Sequence, residues 1–152
     1  MSEHPSRLIL ELPCVHRAVR VGRRVVQTFA RTDEVPDEEI ERLMLVASEL
    51  LANAVDHGGG GGAFTEADLD GKVVMFLRLE LDAKGWHLEV EDQGGGDPTE
   101  SAATLSGDKP IDPEDERGRG LFLVREMVDR MAARAGERGL IFEAHREVKR
   151  DE

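Results

Sequence analysis

Leu8, Leu10 and Leu12 alternate with Ile9 and Glu11, and this period of two predicts a short strand that Pro13 ends. From 14 to 31 the apolar positions Val15, Val19, Val25, Val26 and Phe29 fall among arginines, the pattern of an amphipathic helix. Pro36 opens a second helix, with Asp37, Glu38 and Glu39 in its first turn, where acidic side chains suit the positive end of the helix dipole. Its apolar stripe is Leu43, Val46, Leu50 and Ala54; it runs to about His57, and five consecutive glycines at 58–62 stop it. Val73, Met75, Leu77, Leu79 and Leu81 then alternate with Val74, Phe76, Arg78 and Glu80. After a turn at 82–85, Trp86, Leu88 and Val90 alternate with His87, Glu89 and Glu91, which completes a hairpin. Residues 93–117 read as a long polar loop containing Pro98, Pro110 and Pro113, and a loop of that length is usually functional or disordered. A third helix begins near Gly118 or Arg119, with Leu121, Val124, Val128 and Met131 on one face. Gly136 and Gly139 bracket a turn into a last strand at 140–146. The order strand, helix, helix, hairpin, loop, helix, strand predicts an α/β two-layer sandwich, a mainly antiparallel sheet with helices on one face.

Composition narrows what such a sandwich can do. A chain of 152 residues with 39% hydrophobic positions suits a single domain, residues 1–152, around one core. Its 20 Lys+Arg against 32 Asp+Glu give a net charge of -12, which argues against nucleic acid as the main partner. Aromatics make up 4% and Tyr is absent, so a base-stacking platform is not expected. The single cysteine, Cys14, excludes an intramolecular disulfide and a Cys-rich zinc site, and reads as a small buried residue. No apolar run approaches the roughly 20 residues of a membrane span, and Glu11 and Pro13 break the first apolar stretch, so no signal peptide is read. A cytoplasmic protein is the expectation. His4, His16, His87 and His145 are scattered and read as structural or exposed, and Trp86 as core.

Three short motifs carry candidate chemistry. Glu49, Asn53 and His57 are spaced i, i+4, i+8, which places them on one polar stripe of the second helix. A carboxylate there can take a proton, and an amide oxygen one turn away can ligate a hard cation such as Mg2+. Taken alone, such a stripe more often marks a solvated helix face. Asp92 follows Trp86, Leu88 and Val90 on the core-facing parity, and Gly94, Gly95 and Gly96 follow it. A buried carboxylate needs donors, and a flat ligand with an amino group, such as adenine, would supply them; the alternative is that the strand ends at Glu91 and Asp92 opens a turn. Gly118-Arg119-Gly120 precedes an apolar helix, whose free N–H groups can bind phosphate, although glycines also simply start helices.

In order and spacing the three motifs together resemble the GHKL ATPases, the Bergerat fold. Residues 49–58 resemble the N box, Asp92-x-Gly94-x-Gly96 the G1 box, and Gly118-x-Gly120 the G2 box, and the resemblance covers almost the whole chain. Within the superfamily the sequence is most similar to the anti-sigma factor serine/threonine kinases. The N box reads Asn53-Ala-Val-Asp-His57-Gly58, without the basic residue that sensor histidine kinases usually carry after the Asn, and residues 97–117 contain no Phe. The resemblance implies that Glu49 is the general base facing an acceptor hydroxyl. It implies that Asn53 holds Mg2+, that Asp92 accepts from the adenine amino group, and that Gly94 and Gly96 shape the adenine pocket. Gly118, Arg119, Gly120 and Leu121 would wrap the phosphates, 97–117 would be the ATP lid, and His57 would cap or orient the helix end. It further implies ATP as ligand, a STAS-domain antagonist as phosphoacceptor, a sigma factor as sequestered partner, and a homodimer. A rival reading is a non-catalytic regulator that binds ATP and acts only by protein–protein binding; the ATPase half of a split histidine kinase is disfavoured.

Two features depart from the family. The lid carries Asp97, Glu100, Asp108, Asp112, Glu114, Asp115 and Glu116 against only Lys109 and Arg117, so these acids are expected to face solvent or a basic partner rather than a triphosphate. The five-glycine run stands where a bulkier residue often follows, and could loosen that side of the pocket.

Overall fold

Each strand buries one parity of its residues, and that one-sided pattern builds the sheet. The computed structural model describes residues 5–58, 73–93 and 116–148. Strands β1 (Ser6–Pro13), β2 (Val74–Asp82), β3 (Gly85–Glu91), β4 (Arg130–Ala135) and β5 (Leu140–Glu147) form a sheet of order β1-β2-β3-β5-β4, with every neighbouring pair antiparallel. The register lines up Leu10, Leu77, Val90, Phe142 and Ala133 as one row across it. Helices α1 (His16–Thr32), α2 (Asp37–Asn53) and α3 (Glu116–Met127) complete the described elements. The helices cover the face that carries Met75, Leu77, Leu79, Leu81, Trp86, Leu88 and Val90, all buried. Burying one such side chain contributes about 1.5–3 kcal/mol. The other face is polar, so the predicted two-layer α/β sandwich is the observed architecture.

Helix α2 is the central packing element: Leu43, Val46, Ala47, Leu50 and Leu51 are buried along it. Helix α1 approaches it closely at Gly22, where a Cβ would come within 2.8 Å of Leu51 Cδ1 and 3.0 Å of Leu12 Cδ1. At the other end of α2 a charge is buried. Trp86 Nε1 donates to Glu39 Oε2 at 3.2 Å, and Arg146 Nη2 lies 3.3 Å from Glu39 Oε1. These partners satisfy the carboxylate and tie β3 and β5 to α2. The hairpin turn is set by Asp82, whose Oδ1 accepts from Lys84 N at 2.8 Å and Gly85 N at 3.0 Å. Gly85 has a φ of 152° and lies against the Arg146 carbonyl, so no side chain fits there.

One predicted element is corrected. Helix α3 ends at Met127, and Val128 and Met131 are not on its face; residues 130–135 form β4 at the sheet edge. Helix-favouring Ala and Arg disguised this strand in the sequence. Pairing with β5, from Arg130↔His145 to Ala135↔Leu140, overrides that local preference. Gly136 and Gly139 then close a β4–β5 hairpin, with Gly136 N donating to Gly139 O at 2.6 Å. Helix α3 also begins at Glu116, two residues before the predicted Gly118.

Candidate functional site

The α-helical geometry of α2 stops at Asn53, and Ala54–Gly58 continue as a wider π-helical turn. Such turns recur where a helix must present a side chain or leave backbone groups for a ligand. Asn53 is 7% exposed, and neither its Oδ1 nor its Nδ2 has a hydrogen-bond partner among the described residues. An unsatisfied buried amide costs about 1–3 kcal/mol, so the Asn53 amide is a candidate ligand group that no described residue engages. The predicted stripe of Glu49, Asn53 and His57 keeps its α-helical spacing only as far as Asn53; the side chain of His57 lies outside the described residues.

Glu49 stands one turn before Asn53, half-buried, and its burial pushes the carboxyl above the usual carboxylate range. Gly120 of α3 lies directly against it, so that a Cβ on Gly120 would run into Glu49 Oε2. Leu121 beside it is buried. The seam between α2 and α3 thus brings together four residues singled out from the sequence: Glu49, Asn53, Gly120 and Leu121. Gly118 and Arg119 fall in the opening turns of α3, although the side chain of Arg119 lies outside the described residues.

Asp92 follows the last residue of β3 and is 4% exposed, in phase with Trp86, Leu88 and Val90. Its backbone N–H donates to Leu140 O at 3.1 Å, and its Oδ1 accepts from Leu140 N at 3.4 Å. The strand does end at Glu91, yet Asp92 stays inside because β5 continues the pairing beneath it. Cys14 lies at the end of α2, where its thiol donates to Ala54 O at 3.4 Å. Burial, Asp92 and Asp56, in that order, push the thiol up to about 11, so it is an unreactive packing residue. The sequence marked Cys14 as buried but held no signal of its place between β3 and the N-box turn. Gly94, Gly96 and the lid at 97–115 lie outside the described residues. Two cavities of about 570 and 610 Å3 sit against the outer side of the sheet, lined in part by His87, Glu143 and His145 and by Phe76, Arg78 and Arg138. Neither contains a predicted site residue.

The sequence pattern of the histidine kinase-like ATPase domain matches residues 13–143. The chain belongs to the histidine kinase-like ATPase family. It is 26% identical over 152 residues to the serine-protein kinase RsbW of Halalkalibacterium halodurans, covering 97% of this chain and 87% of that protein. Among solved structures it is similar to the SiaB–SiaC complex of Pseudomonas aeruginosa, with a TM-score of 0.68 and 12% identity over 93% of this chain and 88% of the other. It also resembles the RsbU and RsbW domains of a Mycobacterium tuberculosis protein, with a TM-score of 0.60 and 18% identity over 95% of this chain and 33% of that one. The two structural likenesses bear on the fold. The RsbW relative falls in the anti-sigma kinase branch expected from the sequence. No helix among the described residues is long and apolar enough to cross a membrane.

Proposed function

We propose that the protein is an ATP-dependent serine/threonine protein kinase of the anti-sigma factor type, with Glu49 as its general base. The observation that carries this reading is the buried amide of Asn53, without a partner among the described residues, one helical turn from a carboxylate that lies against a glycine of α3. A half-buried carboxylate whose pKa is raised by burial, at that position, weighs towards a catalytic rather than a binding-only domain. The residues fit Mg2+ and ATP: Asn53 Oδ1 is a hard oxygen donor awaiting a cation, and one side-chain oxygen suffices for an ion that keeps phosphate and water ligands. When bound, Mg2+ would neutralise charge on the β- and γ-phosphates.

The chain's own residues do the rest. Asp92 accepts from the adenine amino group while Leu140 N–H holds its carboxylate in place. Gly94 and Gly96 leave room for the base, Gly118 offers a free backbone N–H of the first turn of α3 to the phosphates, and Arg119, Gly120 and Leu121 follow it on the helix and shape that end of the site. The segment from 97 to the start of α3 at Glu116 serves as lid, two residues shorter than the 97–117 expected from the sequence. Glu49 orients the acceptor hydroxyl and takes its proton as that oxygen bonds to the γ-phosphorus and ADP leaves. Because phosphoryl transfer relies mainly on positioning and charge, the contact with Gly120 that fixes Glu49 matters as much as its basicity.

The acceptor is a serine or threonine of a STAS-domain antagonist, and the protein partner held in the other state is a sigma factor. Helix α1 supports a protein-binding role. It carries Arg17, Arg20, Arg23, Arg24 and Arg31, all exposed, and no acidic residue. Arg20, Arg24 and Arg31 form one outward stripe with exposed Val21, and no ion pair engages these three among the described residues. In a chain of net charge -12 this stripe suits an acidic protein face. Incubation with labelled ATP and each STAS protein encoded nearby tests the reading. Label on a serine or threonine of one of them supports it; ATP binding with no transfer to any of them favours the binding-only regulator.

A further inference from the structure

Register on the outer face of the sheet sets four metal-type donors in a square: His87 faces His145, and Glu89 faces Glu143. His87 Nε2 lies 3.2 Å from Glu89 Oε1 and 3.4 Å from Glu143 Oε2. One donor atom from each of the three lies within 4.8 Å of the others, and the His145 ring is 5.9 Å from that of His87. Two carboxylates directly across a strand pair repel each other. A single Nε2–H serves only one of them well. A tetrahedral cation would serve both. Zinc bonds of about 2.0–2.1 Å put neighbouring donor atoms about 3.3–3.4 Å apart, which is the spacing already present around His87 Nε2.

We propose that His87, Glu89 and Glu143 form a binding site for a zinc-type divalent cation, with water completing the shell. Mixed imidazole and carboxylate donors suit Zn2+, whereas Mg2+ takes oxygen ligands and gives up its waters reluctantly. The site is therefore chemically separate from the one that Asn53 would provide, and it lies on the opposite face of the sheet. The cavity of about 570 Å3 beside it, lined by His87, Glu143, His145, Arg125, Asp129 and Met131, gives an ion and its water a way in. A competitor is built into the site: Arg134 Nη2 lies 3.0 Å from Glu89 Oε1, and its Nε lies 3.7 Å from Glu143 Oε2, the same two oxygens. Arg134 is on the edge strand and 49% exposed, so it can leave for solvent when the cation enters. The bound ion would clamp β3 to β5, the two strands that position Asp92 through Leu140.

The test uses the full chain without nucleotide, titrated with Zn2+ against a chromophoric chelator and with Co2+ for the visible absorption of a tetrahedral ion. The wild type is expected to take one ion in the micromolar range or tighter, and to ignore Mg2+. His87→Ala and Glu143→Gln should each weaken uptake at least about tenfold. Arg134→Gln should tighten it several-fold, a gain that a damaged fold cannot produce. No uptake by the wild type, uptake indifferent to His87→Ala and Glu143→Gln, or no gain on Arg134→Gln would each overturn the site.

Discussion

Gly120 and Glu49 touch: the α-carbon of one is so close to the carboxylate of the other that a methyl group at 120 would overlap Glu49 Oε2. The two residues are 71 positions apart in sequence and belong to motifs that the resemblance treats as separate, the N box and the G2 box. The contact makes them one device, in which the start of α3 fixes the rotamer of the proposed base.

Gly120→Ala should therefore leave the fold nearly intact and disable transfer. The obstructing atom is the free end of a flexible side chain, so Glu49 can swing aside with little cost to packing. A displacement of about 1 Å at a reacting group can lower the rate about 100-fold. Thermal unfolding should match the wild type, while kcat for transfer to a STAS acceptor falls by about that factor. Undiminished kcat would mean that the contact does not position the base.

Glu49→Gln removes the charge and keeps the shape. Burial raises the Glu49 pKa in the folded protein, so folding favours its protonated form. The folded-state pKa lies above the unfolded one, and the penalty is absent below the unfolded value and fully present once pH exceeds the folded value. Gln should accordingly raise the melting temperature at neutral pH, by an amount that shrinks on acidification through the carboxylate range. In the wild type, the acid limb of kcat should sit above the ordinary carboxylate range, because the base must be ionised to act. The Gln variant should still bind ATP and lose about 100- to 10,000-fold in transfer. Transfer at the wild-type rate would remove Glu49 from the chemistry.

Period-two and helical patterns made β1 to β3, β5 and the first two helices readable from the sequence, because each has a single buried face. Strand β4 was not readable. Its residues Arg130, Met131, Ala132, Ala133, Arg134 and Ala135 favour a helix locally, and only the partner β5, which the chain has not yet reached, supplies the ladder. Asp92 was placed inside by strand parity alone, and the structure keeps it there through Leu140, a neighbour 48 residues away. What no local pattern could announce were contacts between distant segments: Gly120 on Glu49, Trp86 and Arg146 on Glu39, and Cys14 on Ala54. The histidines read as scattered in the sequence, since the opposition of His87 and His145 across β3 and β5 depends on register, which the sequence does not fix.

Asn53→Ala separates ligand binding from stability. The wild-type amide is buried and has no partner among the described residues, so its removal should leave the melting temperature of the free protein unchanged or higher. ATP binding in Mg2+ should nonetheless weaken strongly by calorimetry, since the one side-chain oxygen offered to the cation is gone. An equal loss in EDTA and in Mg2+ would show that Asn53 touches nucleotide rather than metal.

Asp92→Asn tests the base. The amide oxygen can still accept from Leu140 N–H, so the fold should survive. A hydrogen bond to a charged acceptor contributes roughly 1.5–3 kcal/mol, which corresponds to a loss of about one to two orders of magnitude in ATP affinity. GTP, which lacks an amino group at that edge, should bind weakly to the wild type and change less. Equal affinity of the wild type for ATP and GTP would defeat the assignment.

Charge reversal on α1 addresses the partner surface. Arg20 and Arg24 stand one turn apart on the outward stripe, with Val21 between them, and neither is paired among the described residues. Arg20→Glu with Arg24→Glu changes the local charge by four units without touching the core, so folding should be unaffected. ATP binding should also persist, because the stripe carries none of the residues assigned to the nucleotide. Binding to an acidic protein partner should fall at least about tenfold, mostly through slower association that salt already weakens in the wild type. The readout is the association rate with a phosphorylatable STAS protein and with a sigma factor, at low and at high salt. A loss confined to one of them would assign the stripe to that partner. Unchanged rates with both would leave the arginines of α1 with no part in recognition, even if transfer itself is intact.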